Sequence, residues 1–441
     1  MSAVAMDIDG YVADADAAYP MHFHREQMPA WLHATATALG FRAPDPARPY
    51  RWCELGSGAG LTALVAAACN PAGHFTAVDA DAAQIARARG IAERAGLANL
   101  DFVHADLREY AAQRGEAFDF IVSHGLWAWV SEAVRDAFLG IVERRLAPGG
   151  LLELGYMSHP GASQLQGAQR LLHEAGRHLE GDTAARVTAT LALLRDLADG
   201  GAGLFAEHPG AARQLDAMER EPAGYIAHEF LGAHWQPQHV ADVIRAFAGA
   251  GCDFIGSATP IENIDALSIP GALQARLRTL PPGPLAETAR DLARNQSLRR
   301  DLFQRGAQRL GGAAHLDALD ALVFAALPGA PSALDGDLRF DTRIGPVTGA
   351  RELFAPALDA IAQGPQSFAR LRTLAPYDAR PGLLNQALQA LTWAGFAHAC
   401  LPSSRDTSAD ALARQLSPLP GVPALALLPV IGSAVLRQVP R

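Results

Sequence analysis

The chain has 441 residues, of which 49% are hydrophobic, 19% charged and 7% aromatic. A single hydrophobic core rarely extends beyond about 250–300 residues, so this length predicts two or three globular domains. The net charge of −9 disfavours a general attraction to nucleic acid. The four cysteines lie far apart, which is not typical of a disulfide framework or of a cysteine metal site.

Neither end of the sequence predicts a targeting or membrane segment. The first ten residues contain two aspartates and no basic region followed by an apolar one, unlike a signal peptide. The apolar stretch at 422–436 is interrupted by Pro423, Pro429 and Gly432, and it is shorter than the ~20 residues that a spanning helix needs. We therefore expect a cytoplasmic protein without a membrane span.

Strand-like and helix-like blocks alternate after a segment rich in aromatic residues and histidines, residues 14–29. The predicted strands cover residues 52–55, 75–79, 101–104, 118–123 and 151–156, and the predicted helices cover 61–69, 82–95 and 132–146. Gly96 and the run 148–150 supply stop signals after two of the helices. This order predicts an α/β fold with a doubly wound sheet.

The rest of the chain reads as two further domains. Helical patterns at 164–180, 184–199, 211–219 and 239–250 predict a helical middle domain, with one short strand near 251–256. A Pro- and Gly-rich patch at 328–337 is typical of a linker. Predicted helices at 353–363, 366–374 and 381–394, followed by 396–401, have the order of a winged-helix domain. The predicted domains are therefore residues 1–162, 163–328 and 329–441.

A glycine-rich run, E-L-G-S-G-A-G at residues 54–60, joins the first predicted strand to the first predicted helix. Glycines permit left-handed turns and a close approach of the backbone to a ligand. The start of the following helix offers unpaired N–H groups to an anionic group. The dinucleotide fingerprint GxGxxG requires a third glycine where this chain has Leu61, so the run disfavours NAD and FAD.

Carboxylates follow the next two predicted strands. Asp79 ends the second strand, nineteen positions after Gly60, where related folds use an acid to bind the ribose hydroxyls. Asp106 follows the third strand, where a carboxylate reaches an adenine amino group. Asp81 is predicted to cap the next helix instead.

Residues 50–157 resemble the class I S-adenosylmethionine-dependent methyltransferase family. The matching motifs are E-L-G-S-G-A-G, V-D at 78–79, A-D-L at 105–107, F-D-F-I-V-S at 118–123 and L-A-P-G-G at 146–150. The resemblance implies a Rossmann-like domain that binds S-adenosylmethionine and aligns its methyl group with an acceptor. The cofactor-binding residues that it implies are Glu54, Gly56, Ser57, Gly58, Gly60, Asp79, Ala80, Asp106, Leu107, Ser123 and His124.

Within that superfamily, the whole chain resembles a bacterial subgroup that includes lysine methyltransferases acting on outer-membrane proteins. The resemblance is carried by residues 123–130, 156–161, 227–237 and 251–263. The chain departs from the subgroup at Trp127, where Tyr is usual, and at residues 158–159, where an Asn-containing turn is usual. The resemblance implies a regulatory region, a winged-helix-like C-terminal domain and transfer to lysine side chains of a protein, of the cell envelope for example.

We expect aromatic and histidine side chains near the strand ends to line the acceptor site, because aromatic faces attract an ammonium cation. A histidine is the candidate base, since a lysine ammonium must lose a proton before it attacks. The alternative roles are packing at the domain seam for the tryptophans and loop ordering for the histidine. The candidate catalytic residues are His124, Trp127, Trp129 and Tyr156, and the candidate substrate-binding residues are Tyr19, His22 and His159.

Two other ligand classes are disfavoured. His22 and His24 are not surrounded in sequence by further metal-ligating residues, so we expect no metal site. The winged-helix order suggests DNA, but residues 331–441 contain ten arginines and eight acids without a basic stripe. We expect this region to dock protein rather than nucleic acid. The sequence leaves open whether the protein forms a homodimer.

All 37 basic residues are arginine, because lysine is absent from the sequence. A GC-rich genome, which favours Ala, Arg and Gly codons, accounts for this composition. An enzyme that methylates lysines broadly would also escape self-methylation by carrying none. Two alternatives to lysine methylation stay open at this point: a small-molecule or glycan methyltransferase, and a catalytically silent regulator that binds the cofactor and acts through its C-terminal domain.

Overall fold

The protein is described by a computed structural model that covers residues 6–8, 11–13, 21–401 and 408–437. Two short antiparallel strands come first, β1 (Met6–Ile8) and β2 (Tyr11–Ala13). The first helix, α1, covers Pro29–Ala38. Tyr19, a predicted substrate-binding residue, lies outside the described residues.

A seven-stranded sheet forms the centre of the N-terminal domain. Its strands are β3 (Tyr50–Leu55), β4 (Gly73–Asp79), β5 (Leu100–His104), β6 (Phe118–His124), β7 (Leu146–Met157), β8 (Cys252–Ser257) and β9 (Leu298–Arg305). The spatial order is β5-β4-β3-β6-β7-β9-β8. Neighbours among β3 to β7 pair in parallel, whereas β9 is antiparallel to both β7 and β8. The predicted doubly wound, Rossmann-like sheet is confirmed.

Four helices connect the parallel strands: α2 (Leu61–Cys69), α3 (Ala82–Ala95), α4 (Leu107–Ala112) and α5 (Glu132–Arg145). The predicted cap of α3 is confirmed, because the Asp81 carboxylate accepts hydrogen bonds from the N–H groups of Ala83 and Gln84. Gly96 ends the same helix with a φ of 69°, a conformation that favours glycine. The strand β7 begins earlier than predicted, since residues 146–150 already belong to it.

The middle segment contains the helices α6 (Gln166–His178), α7 (Thr183–Asp199), α8 (Gly203–Glu207), α9 (Pro209–Met218), α10 (Ala223–Phe230), α11 (Val240–Gly249), α12 (Asp265–Ser268), α13 (Gly271–Leu277) and α14 (Pro284–Arg294). The expectation of a helical middle domain is corrected in one respect, because β8 and β9 from this segment complete the main sheet. Sequence reasoning missed β9 because it carries Arg299 and Asp301, charges that are unusual in a buried strand.

Those charges are satisfied inside the fold. The Arg299 guanidinium donates hydrogen bonds to Asp301 at 2.7 Å, to Asp291 at 2.5 Å and to Glu287 at 3.1 Å. The Tyr156 hydroxyl donates to the second oxygen of Asp301 at 2.6 Å. This buried network joins β7, β9 and α14, so the middle segment is fastened to the sheet by paired charges as well as by strand pairing.

The C-terminal region forms a second hydrophobic core, which includes Phe340, Phe368 and Leu391. Its helices are α15 (Gly312–Asp320), α16 (Arg351–Ala362), α17 (Phe368–Leu371) and α18 (Pro381–Trp393). Its strands are β10 (Val323–Ala326), β11 (Leu338–Thr342), β12 (Gly345–Gly349), β13 (Gln366–Ser367) and β14 (Ala397–Ala399). The expected order of three helices and a strand is present, and the winged-helix assignment and the domain boundaries stay predictions.

The last described residues return to the N-terminal domain. They form α19 (Ser408–Leu416) and the hairpin of β15 (Leu425–Leu428) and β16 (Ser433–Leu436). Leu412 of α19 and Ala434 of β16 belong to the same core as the buried helix α2. The side-chain amide of Asn70, which follows α2, donates to the Gly432 carbonyl at 2.9 Å. The N-terminal domain and the last described residues therefore share one core.

Candidate functional site

A cleft lies where the parallel strands β3 to β6 end. One wall consists of the loops that follow β3, β4 and β5, and the other is formed by the residues at the end of β6 and after it, by Met21, His22 and His24, and by helix α10. The cleft has a cavity volume of about 180 Å³ and is open to solvent on one side.

The glycine-rich loop after β3 forms the floor of this cleft. Gly56, Gly58 and Gly60 have φ values of 76°, 51° and 70°, which L side chains rarely adopt. A Cβ atom on Gly60 would lie 2.6 Å from the Phe102 ring, so this position requires glycine for space as well as for conformation. The Ser57 hydroxyl is shielded from solvent and has no hydrogen-bond partner among the described residues. Ser57 belongs to a loop whose backbone allows close contact with a ligand.

Asp79 connects the glycine-rich loop to the end of β4. Its carboxylate accepts hydrogen bonds from the N–H groups of Gly58 at 2.7 Å and Asp81 at 2.9 Å. Burial raises the pKa of Asp79, against the opposing effect of these two hydrogen bonds. A carboxylate has about four lone-pair positions, so Asp79 can accept two more hydrogen bonds from a ligand at the cleft.

Glu54 is buried at the start of the loop, with 4% of its surface exposed. One of its carboxylate oxygens has no hydrogen-bond partner among the described residues. Burial and the nearby charges of Asp79 and Glu153 raise the pKa of Glu54 well above its usual range. A buried carboxyl that lacks a partner is costly, and a ligand amino group or cation would satisfy it.

Asp106 also lines the cleft, but its carboxylate is already engaged. It accepts hydrogen bonds from the backbone N–H of Arg108 at 2.7 Å and from the Arg108 guanidinium at 2.6 and 2.9 Å. These bonds hold the pKa of Asp106 below its usual range. Asp106 thus caps α4. Its carboxylate is already bound by Arg108, so an adenine amino group at the predicted position would have to share it.

His124, at the end of β6, lies in the wall opposite the glycine-rich loop. Its ring stacks on that of His24, with centroids 3.9 Å apart. A Cβ atom on Gly155 would lie only 2.0 Å from His124 Nδ1, so the imidazole occupies the space above that glycine. Burial, and then the charges of His24 and Arg300, lower the pKa of His124 well below its usual range. The imidazole is therefore neutral near pH 7.

Helix α10 closes the same wall. His228 and Glu229 from this helix line the cleft together with Trp129. The indole N–H of Trp129 donates to the Glu229 carbonyl at 3.1 Å. The His22 ring contacts the edge of the Tyr225 ring, with centroids 6.2 Å apart. The middle segment therefore contributes side chains to the cleft of the N-terminal domain.

Most of the predicted site residues meet at this cleft. They are Glu54, Gly56, Ser57, Gly58, Gly60, Asp79, Ala80, Asp106, Leu107, His124, Trp129 and His22. Sequence reasoning assigned no role to His24, Thr62, Gln84, His228 and Glu229, which line it as well. The histidine-rich segment and the A-H-E-F motif at 227–230 were visible signals, but periodicity could not place either segment above the sheet edge.

Four predicted site residues lie outside the cleft. The Ser123 hydroxyl donates to the Leu55 carbonyl at 2.7 Å and connects two strands. The Trp127 ring packs between Phe138 and Phe247, with centroids 5.5 and 5.1 Å away. The remaining two are Tyr156, bound to Asp301 in the buried charge network, and His159, stacked on His239 at 4.3 Å. For Trp127 the structure favours the packing interpretation.

Comparison with known families identifies the domains that contribute to the two walls of the cleft. A family model described as a methyltransferase domain matches residues 53–150. A second model, described as a predicted methyltransferase regulatory domain, matches residues 222–305. The chain contains a class I methyltransferase domain and a regulatory domain. The methyltransferase domain supplies the glycine-rich loop, and the regulatory domain supplies α10 together with β8 and β9.

Solved structures share this fold. PKMT2 from Rickettsia typhi superposes with a TM-score of 0.70 at 16% identity, over 95% of this chain and 86% of that one. A structure of PKMT2 in complex with AdoHcy gives a TM-score of 0.67 at 17% identity, over 87% of this chain and 77% of that one. These likenesses extend beyond the methyltransferase domain into the regulatory and C-terminal regions.

Sequence relatives of this methyltransferase are uncharacterized proteins. One, from Synechocystis, is 28% identical over 395 residues, which cover 88% of this chain and 76% of that protein. Another, from Rickettsia prowazekii, is 27% identical over 216 residues, 46% of this chain and 39% of that protein. Neither name states a substrate.

The cofactor of this methyltransferase is S-adenosylmethionine, and the described residues fit it. Asp79 retains lone pairs for hydroxyl groups, the orphan oxygen of Glu54 suits a cation, and Leu107 and Leu126 add apolar surface. Within the described ranges, no group of three or more metal-ligating side chains is assembled. The helices of the described part include none that is long and apolar enough to cross a bilayer.

Proposed function

We propose that this chain transfers the methyl group of S-adenosylmethionine to lysine side chains of a protein substrate. The observation that carries the proposal is the composition of the wall opposite the glycine-rich loop. Trp129, His124 and Glu229 meet there, an aromatic ring, a neutral imidazole and a carboxylate in one cleft. An aromatic ring and a carboxylate are groups that bind an ammonium. The resemblance to bacterial lysine methyltransferases supports the same acceptor.

Cofactor binding is assigned to the glycine-rich loop and the residues that follow β4 and β5. Asp79 would accept hydrogen bonds from the ribose hydroxyls, and the N-terminus of α2 would hold the methionine carboxylate. The buried carboxyl of Glu54, which lines the cleft, would be balanced by the cationic part of the cofactor. When bound, S-adenosylmethionine supplies an electrophilic methyl group, and the protein contributes alignment with the acceptor nitrogen.

We infer that His124 positions the acceptor nitrogen rather than receiving its proton. Its imidazole is neutral near pH 7 because burial lowers its pKa, and the same lowering makes it a weak base toward an ammonium group. The stacked His24 ring and the Gly155 backbone hold the His124 ring in place. The ammonium proton therefore leaves to solvent before the methyl transfer.

The proposal is tested by incubating the protein with methyl-labelled S-adenosylmethionine and either cell-envelope proteins or the low-molecular-weight fraction of the same cells. We expect label in protein, recovered as methyllysine after hydrolysis and mass spectrometry. The Asp79→Asn variant, in which we expect weaker cofactor binding, is the matched control. Label confined to small molecules or glycans would contradict the proposed lysine acceptor and identify the acceptor class instead. Failure of every fraction to yield S-adenosylhomocysteine would indicate a regulator without catalysis.

A further inference from the structure

Helix α10 of the regulatory domain has two different faces. Ile226, Ala227 and Phe230 are buried in a core that also contains Trp129. Tyr225 and Glu229 stand one turn apart, so they lie on a common face, and Glu229 lines the cleft. Burial of the apolar face fixes the helix, and the polar face is thereby held against the acceptor side of the cleft.

The position of Glu229 is fixed by contacts on both sides. Its carbonyl accepts the hydrogen bond from the Trp129 indole, which fixes the backbone of α10 beside that ring. Tyr225 contacts the His22 ring, which also lines the cleft. Glu229 lies close enough to Tyr225 for its charge to contribute, after burial, to raising the pKa of that phenol to about 12.

Acidic side chains predominate in the cleft lining. Apart from histidines, the titratable side chains among the described lining residues are Glu54, Asp79, Asp81, Asp106 and Glu229. The first four lie at the strand ends and loops that hold the cofactor, where burial raises the pKa of Glu54 and Asp79 and Asp106 is paired with Arg108. Glu229 is the carboxylate on the wall that α10 forms. Its charge attracts cations and disfavours anionic acceptors.

We propose that Glu229 binds the ammonium group of the acceptor, beside the ring of Trp129. A carboxylate gives a charge-assisted hydrogen bond to an ammonium donor, and the indole face adds cation–π attraction. This assignment rests on the proposed lysine acceptor. It makes the regulatory domain the part of the chain that recognises the acceptor, because α10 carries Glu229 into a cleft whose other wall belongs to the methyltransferase domain.

The test measures binding separately from transfer. Protein saturated with S-adenosylhomocysteine is titrated with an oligolysine peptide and with the same peptide fully acetylated, which differs in charge. We expect the wild type to bind the charged peptide more tightly. Glu229→Gln should weaken that binding by about tenfold or more, equivalent to about 1.4 kcal/mol, and Glu229→Asp should restore part of it.

The matched control is Glu180→Gln, which removes the same charge from an exposed position outside the cleft lining. We expect it to change peptide binding by less than about twofold, because exposed charges are screened. S-adenosylhomocysteine affinity, measured on every variant, should stay at the wild-type value. A variant that keeps its S-adenosylhomocysteine affinity has kept its fold, so its weaker peptide binding reports a change in acceptor recognition.

Three results would overturn the assignment. The first is equal binding of the charged peptide by wild type and Glu229→Gln, and the second is loss of S-adenosylhomocysteine affinity in Glu229→Gln. The third is equal affinity of the wild type for the charged and acetylated peptides. A wild type that binds the charged peptide through Glu229 but places no label on lysine would contradict the proposed function alone, so the two failures are distinguishable.

Discussion

Glu153, in the middle of β7, is a carboxyl group that the fold keeps away from water. Its exposed fraction is 0%, and it accepts one hydrogen bond, from the Gln27 side-chain amide at 2.9 Å. Its other oxygen has no partner among the described residues. Burial raises the pKa of Glu153 to about 8, although Gln27 and Arg300 oppose the shift. The folded protein therefore holds a proton on Glu153 at neutral pH.

This raised pKa makes stability depend on pH. The carboxyl group releases its proton at its usual pKa of 4.5 in the unfolded chain and at about 8 in the folded chain. Its contribution to stability is complete below pH 4.5 and is lost as the pH rises through this interval, by about 1.4 kcal/mol per pH unit. At pH 7 the loss is 2.5 pH units, or about 3 kcal/mol.

Glu153→Gln should recover this loss, because glutamine keeps the shape of the protonated acid and cannot ionise. We expect the variant to be more stable than the wild type by up to about 3 kcal/mol at pH 7, and by less than about 1 kcal/mol at pH 5. Urea unfolding at both pH values measures the difference, with Glu93→Gln on the exposed face of α3 as the control. A difference that is equal at the two pH values, or a less stable variant at pH 7, would refute the reasoning.

Further outcomes are expected for four variants. Asp79→Asn should raise the dissociation constant for S-adenosylmethionine roughly tenfold to hundredfold, since a carboxylate is replaced by a weaker acceptor, and unchanged affinity by calorimetry would contradict the ribose assignment. Trp127→Ala should lower the free energy of unfolding by about 3–5 kcal/mol. Trp129→Phe should mainly raise the KM for the acceptor. If Trp127→Ala raised that KM and Trp129→Phe lowered the free energy of unfolding instead, the roles assigned to the two tryptophans would be exchanged. Arg220→Lys, at an exposed site, should acquire methyl groups during incubation with S-adenosylmethionine, and an unmodified intact mass would remove support for the self-methylation hypothesis.

The fold of residues 50–157 was predictable because its signals are local. Strand and helix blocks alternate, Asp81 and Gly96 mark helix ends, and the glycine-rich loop occupies the turn where left-handed backbone is needed. Such features depend on the chemistry of neighbouring residues, which a sequence displays directly.

The acceptor side of the site was less predictable because it is assembled from distant segments. His24 and Glu229 meet at the cleft from parts of the chain about 200 residues apart. β9 was hidden by charges that pair only in the folded state, as the contacts of Arg299 show. Trp127 and Trp129 are two positions apart, yet one packs in a core and the other borders the cleft.

The return of the C-terminal hairpin to α2 has a consequence for how the molecule is made. Helix α2 leaves the ribosome long before the segment that covers it, and all nine of its residues are buried. Part of that cover, Leu412, Leu416 and Ala434, is synthesised much later. Until then the catalytic domain exposes an apolar surface, a state that chaperones recognise, and cutting the gene after residue 401 would make that state permanent.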